Sequence, residues 1–414
     1  MKKHLAALAA MAACGAVSAQ SSVTVFGVVD VAVSSVTNKA ELVYTDPLLA
    51  IAFDPAVWLL PHSVKASRTE LRNSGLSSSR LGFRGVEDLG GGLSAGFWLE
   101  APITNDDGAT GVSTFSRRST VSLSGGFGEI RLGRDNTPVK TSDDTFDPFG
   151  ATGIGGSLIA AAYSHSRNSN MVQYFLPRNL GGFYGNVAYG FSEKTSYSPL
   201  GPYERDSDAG RYFGARFGYA NGPLDVALAY GQRDGLSGPD ANNDFYDVLD
   251  TRRTKSKIFN LGATYDFGVA KLFAQYSQHR NERSTLPADY GFGLLAIDPK
   301  TKTQGYLLGV AVPVGAGVIR ASIAQVKQDD NQQSLWYRTP DPKATKFALG
   351  YQHNLSKRTA LYATVARVSN KNGMNLTVGG PNVMTAAAAV TLPAGVAYQA
   401  KNSTGYEFGL RHSF

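Results

Sequence analysis

The amino-acid sequence predicts an all-β protein, a 16-stranded antiparallel transmembrane β-barrel. From Val23 onward, short segments alternate apolar residues with polar or small ones, as in Phe213–Tyr219 and Phe259–Phe267. Such segments run for about ten residues, a length that suits a tilted strand crossing a bilayer. Short turns and long polar loops alternate between them, as expected when successive hairpins lie on opposite sides of a membrane.

Composition narrows the class of protein. The 414 residues include 46 Gly and 21 Phe plus 20 Tyr, but only 18% are charged. A helix-rich cytosolic enzyme carries more charge and less glycine, and a disordered chain has fewer aromatic residues. Beyond the N-terminus there is no apolar run of about 18 residues, which excludes a multi-helix membrane protein.

The N-terminus has the features of a cleaved signal peptide at Met1–Ala19. Lys2 and Lys3 precede the apolar stretch Leu5–Val17, and small residues at 17–19 offer a cleavage site. A short buried helix is the alternative interpretation. Cleavage would leave residues 20–414 as one barrel domain and would reduce the net charge from +7 to +5. This surplus is too small to indicate a nucleic-acid partner.

The loops give the number of strands. Seven short turns separate eight long polar loops, which predicts 16 strands with both termini on the short-turn side. A soluble β-sandwich or solenoid is the alternative, although it rarely needs strands of this length in so regular a pattern. The predicted long loops lie near 34–78, 102–115, 135–166, 192–209, 233–255, 280–302, 328–343 and 369–402.

The last strand is amphipathic and ends on an aromatic residue. One face carries the apolar side chains, and the opposite face carries small or charged ones. Outer-membrane proteins present such a strand to the barrel-assembly machinery, so we expect this machinery to be a partner. The predicted assembly signal consists of Tyr406, Phe408, Leu410 and Phe414.

An ordered set of segments resembles the Gram-negative trimeric porins, in the branch typical of betaproteobacteria. Together they extend over nearly the whole chain, with the long loops as the variable parts. The matching segments are Ser22–Asp30, Ser74–Leu93, Ser124–Gly128, Leu132–Arg134, Asp147–Gly150, Arg167–Asn170 and Arg411–Phe414.

The resemblance implies a homotrimer in the outer membrane, in contact with lipids and lipopolysaccharide, through which ions and small hydrophilic solutes diffuse. It also implies that the third loop, from Asp135 to about Ser166, narrows the barrel. Acidic residues of that loop would face arginines on the wall and create a transverse field that favours polar solutes. The candidate loop acids are Asp143, Asp144 and Asp147.

Strand parity provides an independent test of the candidate wall residues. With Leu81 and Phe83 outward, the side chains of Arg80 and Arg84 face the lumen. The same rule turns Arg118 and Arg167 inward, whereas Arg134 shares the parity of outward residues and needs a bent strand to reach the lumen. Parity thus gives Arg80, Arg84, Arg118 and Arg167 as candidate wall residues, and the resemblance adds Arg134. Together with the net charge this candidate wall favours mild anion preference.

Several alternatives remain open. Trp98 has inward parity and would either pack against the third loop or favour aromatic solutes. Asp240, Asn242, Asp244 and Asp247 could bind Ca²⁺ weakly, but they lack the Gly and Glu of an EF-hand loop. We expect no catalytic residues, no metal and no cofactor. A substrate-selective porin is the first alternative function, and an outer-membrane enzyme or adhesin the second.

Overall fold

The computed structural model describes residues 22–44, 60–161, 166–193, 210–237, 252–285, 300–330, 340–382 and 396–414. The predicted signal peptide and the acidic cluster near Asp240 lie outside these residues. Within them, no helix is long and apolar enough to cross a bilayer.

The wall is one continuous antiparallel sheet in which each strand pairs with its neighbours in the chain, except that the second and third strands both pair with the first. The last strand also pairs with the first. The strands are β1 (Ser22–Tyr44), β2 (Ser63–Asn73), β3 (Arg80–Gly90), β4 (Leu93–Pro102), β5 (Arg118–Gly125), β6 (Gly128–Asn136), β7 (Arg167–Phe175), β8 (Phe183–Gly190), β9 (Tyr212–Asn221), β10 (Leu224–Ser237), β11 (Arg252–Asp266), β12 (Lys271–Thr285), β13 (Lys300–Val314), β14 (Gly317–Asp330), β15 (Lys343–Asn354), β16 (Thr359–Lys371) and β17 (Val396–Ser413).

These segments form a closed barrel of sixteen strands, because β2 and β3 are two parts of one position in the wall. Both run antiparallel to β1: β2 pairs with its residues 31–41, and β3 pairs with residues 22–28. The short segment 74–79 interrupts them. The predicted 16-stranded barrel is thus confirmed, and both ends of the described chain lie on the short-turn side.

The first long loop is shorter than the predicted range 34–78. β1 continues to Tyr44, and residues 63–73 form a strand, so the connection is reduced to residues 45–62. The loops predicted at 233–255, 280–302 and 369–402 are also shortened by longer strands. Beyond the apolar band both faces of a strand meet polar groups, so the alternation fades although the backbone ladder continues.

Outward side chains carry the apolar band that the alternation predicts. Val33, Leu308 and Phe347 are 55%, 62% and 57% exposed, and each lies on the outer face of its strand. Because a barrel satisfies every backbone hydrogen bond of the wall internally, this apolar surface can face lipid.

The third loop enters the barrel between β6 and β7 and carries two helices, α1 (Pro138–Phe146) and α2 (Leu158–Ala161). Thr137 caps α1, with its hydroxyl accepting a hydrogen bond from the Lys140 amide at 3.2 Å, and Pro138 occupies the first turn.

Glycines on the inner wall give the loop room to pack. A Cβ on Gly262 would overlap the ring of Phe146, and one on Gly309 would lie 2.6 Å from Pro148. Similarly, Gly305 lies under Ile159, whose side chain is 1% exposed. The inner wall of β11 and β13, across the barrel from β3–β7, therefore has no side chain at these three positions, and the third loop packs closely against it.

Candidate pore constriction

Asp147, at the end of α1, holds the tip of the third loop in one conformation. Its carboxylate accepts hydrogen bonds from the backbone N–H groups of Phe149 at 2.8 Å, Ala151 at 3.1 Å and Ser157 at 2.7 Å. The residue is 3% exposed. Three charge-assisted hydrogen bonds to one buried carboxylate thus hold the loop tip, residues 147–157, in a compact conformation.

The wall behind the tip contacts it at two further points. The ammonium group of Lys346 on β15 donates a hydrogen bond to the carbonyl of Gly156. On β17 the Glu407 carboxylate lies beside Gly153, where a Cβ would be 3.0 Å from its Oε1 atom. The tip is therefore bound to the β15–β17 side of the barrel.

Asp143 is buried against another part of the wall, formed by β11 and β12. Its Oδ1 atom accepts hydrogen bonds from the side-chain amides of Asn260 on β11 at 2.8 Å and Gln275 on β12 at 2.7 Å. Asp143 and Asp147 were expected to face the arginines. They are instead turned into the wall and into the loop, because a buried carboxylate needs hydrogen-bond donors that these places supply.

Asp144 is the loop acid on the arginine side. Its carboxylate pairs with the ammonium group of Lys140, one turn earlier in α1. The charges of Arg117 and Arg167, across the opening, also act on it. Asp144 therefore places one negative charge opposite the cationic wall.

Glu100 on β4 organises the first group of arginines. Its Oε1 atom lies 2.6 Å from Nε of Arg117 and 3.8 Å from Nε of Arg80. Its Oε2 atom accepts a hydrogen bond from the indole N–H of Trp98 at 3.1 Å. One carboxylate thus fixes two guanidinium groups at the level of the third loop.

A second group surrounds Asp135 at the start of the third loop. Its Oδ2 atom lies 2.7 Å from Nη1 of Arg131 and 3.5 Å from Nε of Arg118. Arg131 also pairs with Glu129 at 2.9 Å. Arg118, predicted from parity, faces the lumen, and Arg131 joins it from the neighbouring strand.

Arg134 and Arg167 lie where β6 and β7 become irregular. Gly133 has a φ of +123°, and the β6–β7 register shifts between Gly133 and Asp135. The guanidinium of Arg134 donates to the Ser116 carbonyl at 2.6 Å and to the Ser169 hydroxyl at 2.8 Å. The charges of Arg134, Asp144 and Glu100 act on Arg167, so all four belong to one electrostatic group.

Arg84 lies deeper in the barrel and contacts aromatic rings. Its guanidinium carbon is 5.4 Å from the ring centre of Phe26 and 5.2 Å from that of Trp98. The two rings meet edge to face at 4.9 Å. Trp98 also contacts Arg118, whose guanidinium carbon is 4.4 Å from the centre of the Trp98 ring. The ring and the indole N–H of Trp98 thus both contact side chains of the wall.

Some inward arginines are additional to the predicted set. Arg117 lies in a loop, where no alternation can reveal its direction. Arg131, Arg216 and Arg320 each alternate with exposed outward residues, for example Ile130 and Leu132 around Arg131. Strand parity, applied to every arginine, would have found these three.

Among the residues that the structure describes on this side of the opening, guanidinium groups outnumber carboxylates. The arginines are Arg80, Arg84, Arg117, Arg118, Arg131, Arg134 and Arg167, and the acids are Glu100, Glu129, Asp135 and Asp144. The surplus makes the field at the opening attractive to anions.

On the outer surface, the four side chains of the predicted assembly signal, Tyr406, Phe408, Leu410 and Phe414, are 46–63% exposed.

Lowering the pH should increase anion preference through Asp144. Burial raises the pKa of its carboxyl above the ordinary value, and the attraction of Lys140 offsets only part of this rise. Protonation then begins at a higher pH than the ordinary aspartate pKa of about 3.9 and removes a negative charge from the opening. Reversal potentials in a salt gradient, titrated downward from neutral pH, measure the change.

Asp144→Asn is the control for this titration. The variant should show the increased anion preference already at neutral pH and should lose the corresponding step on acidification. Identical pH curves for the two proteins would contradict the assignment to Asp144.

The family model, the relatives and the solved structure that are similar to this chain agree with one another. A family model described as Gram-negative porin matches residues 6–373. Outer membrane porin protein 32 of Delftia acidovorans is 38% identical over 423 residues, 100% of both chains. An outer membrane porin protein of Bordetella pertussis is 31% identical over 396 residues, 88% of this chain and 93% of the relative. Among solved structures, the anion-selective porin from Comamonas acidovorans has a TM-score of 0.67 at 36% identity and covers 95% of this chain and 100% of its own.

Proposed function

Because the chain belongs to the Gram-negative porin family, we propose that its barrel is a general-diffusion channel that passes ions and small hydrophilic solutes and prefers anions. The protein is located in the outer membrane of a Gram-negative bacterium. The observation that carries the preference is the surplus of guanidinium groups around Glu100 and Asp135.

In this mechanism, the charges of the wall select among solutes at an opening of constant width. The third loop is held by Asp143 and Asp147, so the opening keeps its width while solutes pass. Arginines remain charged at every relevant pH and offer several donors to a passing anion. An ion that loses part of its hydration at the opening gains charged and hydrogen-bonding partners on the wall. The water displaced around an apolar solute is not replaced by such partners, so its passage is disfavoured.

We assign the functional roles as follows. Arg80, Arg84, Arg118, Arg134 and Arg167 act as cationic wall residues, joined by Arg117 and Arg131. Asp144 is the acidic residue that opposes them. Asp143 and Asp147 position the loop and act on permeation only through it. The protein functions as a passive channel and not as an enzyme.

Recording from the purified protein in planar bilayers tests this function. We expect ohmic currents that saturate poorly, and a reversal potential of the sign that an anion-preferring channel gives in a KCl gradient. Absence of conductance would exclude the channel, and the opposite sign of the reversal potential would exclude the preference.

The protein should assemble as a homotrimer through outward apolar side chains. Val25, Val29 and Val33 on β1 are exposed on the outer face of the barrel, next to the seam where β17 closes it. Trimers should give conductance steps in groups of three and a large band on unboiled gels that heating converts to the monomer. A single-sized step together with a monomer band before heating would contradict this assembly.

A further inference from the structure

An aromatic pair on the inner wall depends on the absence of a side chain between its two members. Phe26 on β1 and Trp98 on β4 are separated by β3, where Gly82 lies between them. A Cβ on Gly82 would overlap the Phe26 ring. The glycine therefore lets the ring lie across β3 and meet Trp98 edge to face at 4.9 Å. Neither aromatic ring is fully buried, so the pair presents part of its surface to the lumen.

Arg84 lies beside this pair and is exposed. Within the described residues no carboxylate lies within 4.0 Å of its guanidinium, in contrast to Arg80, Arg117, Arg118 and Arg131. Its close contacts are the two rings. An exposed guanidinium without a counter-ion can accept a carboxylate in a bidentate arrangement.

This group adjoins the opening on its short-turn side, where the indole N–H of Trp98 donates to Glu100. Arg84 follows Arg80 by four residues toward the short turn, about 13 Å along the strand. A solute that has passed the third loop therefore meets Arg84, Phe26 and Trp98 next. The paired arginines around Glu100 attract anions of any kind. Among the described residues Arg216 also lies over two rings, those of Phe146 and Tyr184, but it is buried. The guanidinium of Arg84, in contrast, is exposed beside partly exposed rings.

We propose that Phe26, Arg84 and Trp98 form a subsite for aromatic carboxylates. The carboxylate of the solute binds the Arg84 guanidinium, and its ring packs against the exposed parts of Phe26 and Trp98. The proposal rests on the proposed channel function and adds a preferred class of solute to it. Aromatic pairing contributes beyond the area buried, so an aromatic acid binds more tightly than an alicyclic acid of equal charge and similar size.

Benzoate and cyclohexanecarboxylate are the probes, since both are fully ionised at neutral pH and differ in the aromaticity of the ring. Each is added to purified protein in a planar bilayer, and the concentration that halves the chloride current is measured. We expect this concentration to be about three- to tenfold lower for benzoate in the wild-type protein.

Variants assign the effect to the three residues. Trp98→Leu and Phe26→Leu should bring the ratio of the two concentrations close to one, and Arg84→Gln should raise both concentrations. Phe26→Leu leaves the hydrogen bond between Trp98 and Glu100 intact and so provides a second test if Trp98→Leu folds poorly. Unboiled gels check that each variant assembles.

Phe175→Leu is the matched control. Phe175 also lies under an arginine, with its ring centre 4.1 Å from the guanidinium carbon of Arg131, but that arginine is paired with Glu129 and Asp135. The ratio should remain that of the wild-type protein. A wild-type ratio of one, or an equal loss in Phe175→Leu and Trp98→Leu, would overturn the subsite. Failure of the channel function itself would appear separately, as absence of chloride current before any acid is added.

Discussion

Replacing Asp147 with asparagine is expected to release the third loop and to raise both the single-channel conductance and the noise of the open current. The carboxylate holds three backbone N–H groups, and an amide oxygen can replace neither its charge nor its second acceptor atom. Bonds to a buried charge contribute about 1.5–3 kcal/mol each, so the loss should be about 3 kcal/mol or more. None of these bonds belongs to the wall, so the barrel itself should still form.

Asp144→Asn serves as the comparison for this experiment. It removes one negative charge from the same helix but leaves the bonds of the loop tip in place. We expect it to shift the reversal potential without increasing the current noise. If Asp147→Asn shows the conductance and noise of the wild-type protein, the anchoring role of Asp147 is wrong.

Neutralising Arg80, Arg134 and Arg167 together with glutamine should remove most of the anion preference. A unit charge about 5 Å from the path of an ion contributes about 0.8 kcal/mol in water, before screening by salt. With screening, three such charges should change the ratio of anion to cation permeability by roughly tenfold. The reversal potential across a KCl gradient measures this ratio directly. This combination leaves the pair between Arg117 and Glu100 intact.

A control triple tests whether the position of the charges matters. Arg178, Lys357 and Arg358 are exposed on short turns, so changing them to glutamine removes the same total charge away from the opening. The reversal potential should remain close to that of the wild-type protein. Equal shifts in both triples would mean that total charge, and not the arginines at the opening, determines the preference.

The sequence was sufficient for the wall and for the direction of several of its side chains. Period-two alternation needs only local information, and it turned Arg80, Arg84 and Trp98 in the direction that the structure shows. The lengths of β1, β10–β13, β16 and β17 were underestimated, because their ends next to the long loops meet polar groups on both faces and lose the apolar signal. Even so, the number of sixteen strands was predicted correctly.

The directions of the loop side chains could not be predicted from strand alternation. Nothing local distinguishes Asp143 and Asp147 from Asp144, because their directions depend on amides of distant strands and on the path of the loop tip. Arg117 joined the site from a loop for the same reason. At Arg134 parity fails because Gly133 adopts a left-handed φ and the register shifts beside it.

The seam between β1 and β17 has a consequence for the timing of folding. Gly27 and Phe414, near the two ends of the described chain, exchange a pair of backbone hydrogen bonds of 3.1 Å each. Contacts of such large sequence separation form slowly, since almost the entire chain must be gathered before they can be made. Until then β1 and β17 are unpaired edges exposed to other chains. The barrel therefore cannot close progressively behind the growing wall, and a chain lacking its last strand would remain an open, aggregation-prone sheet.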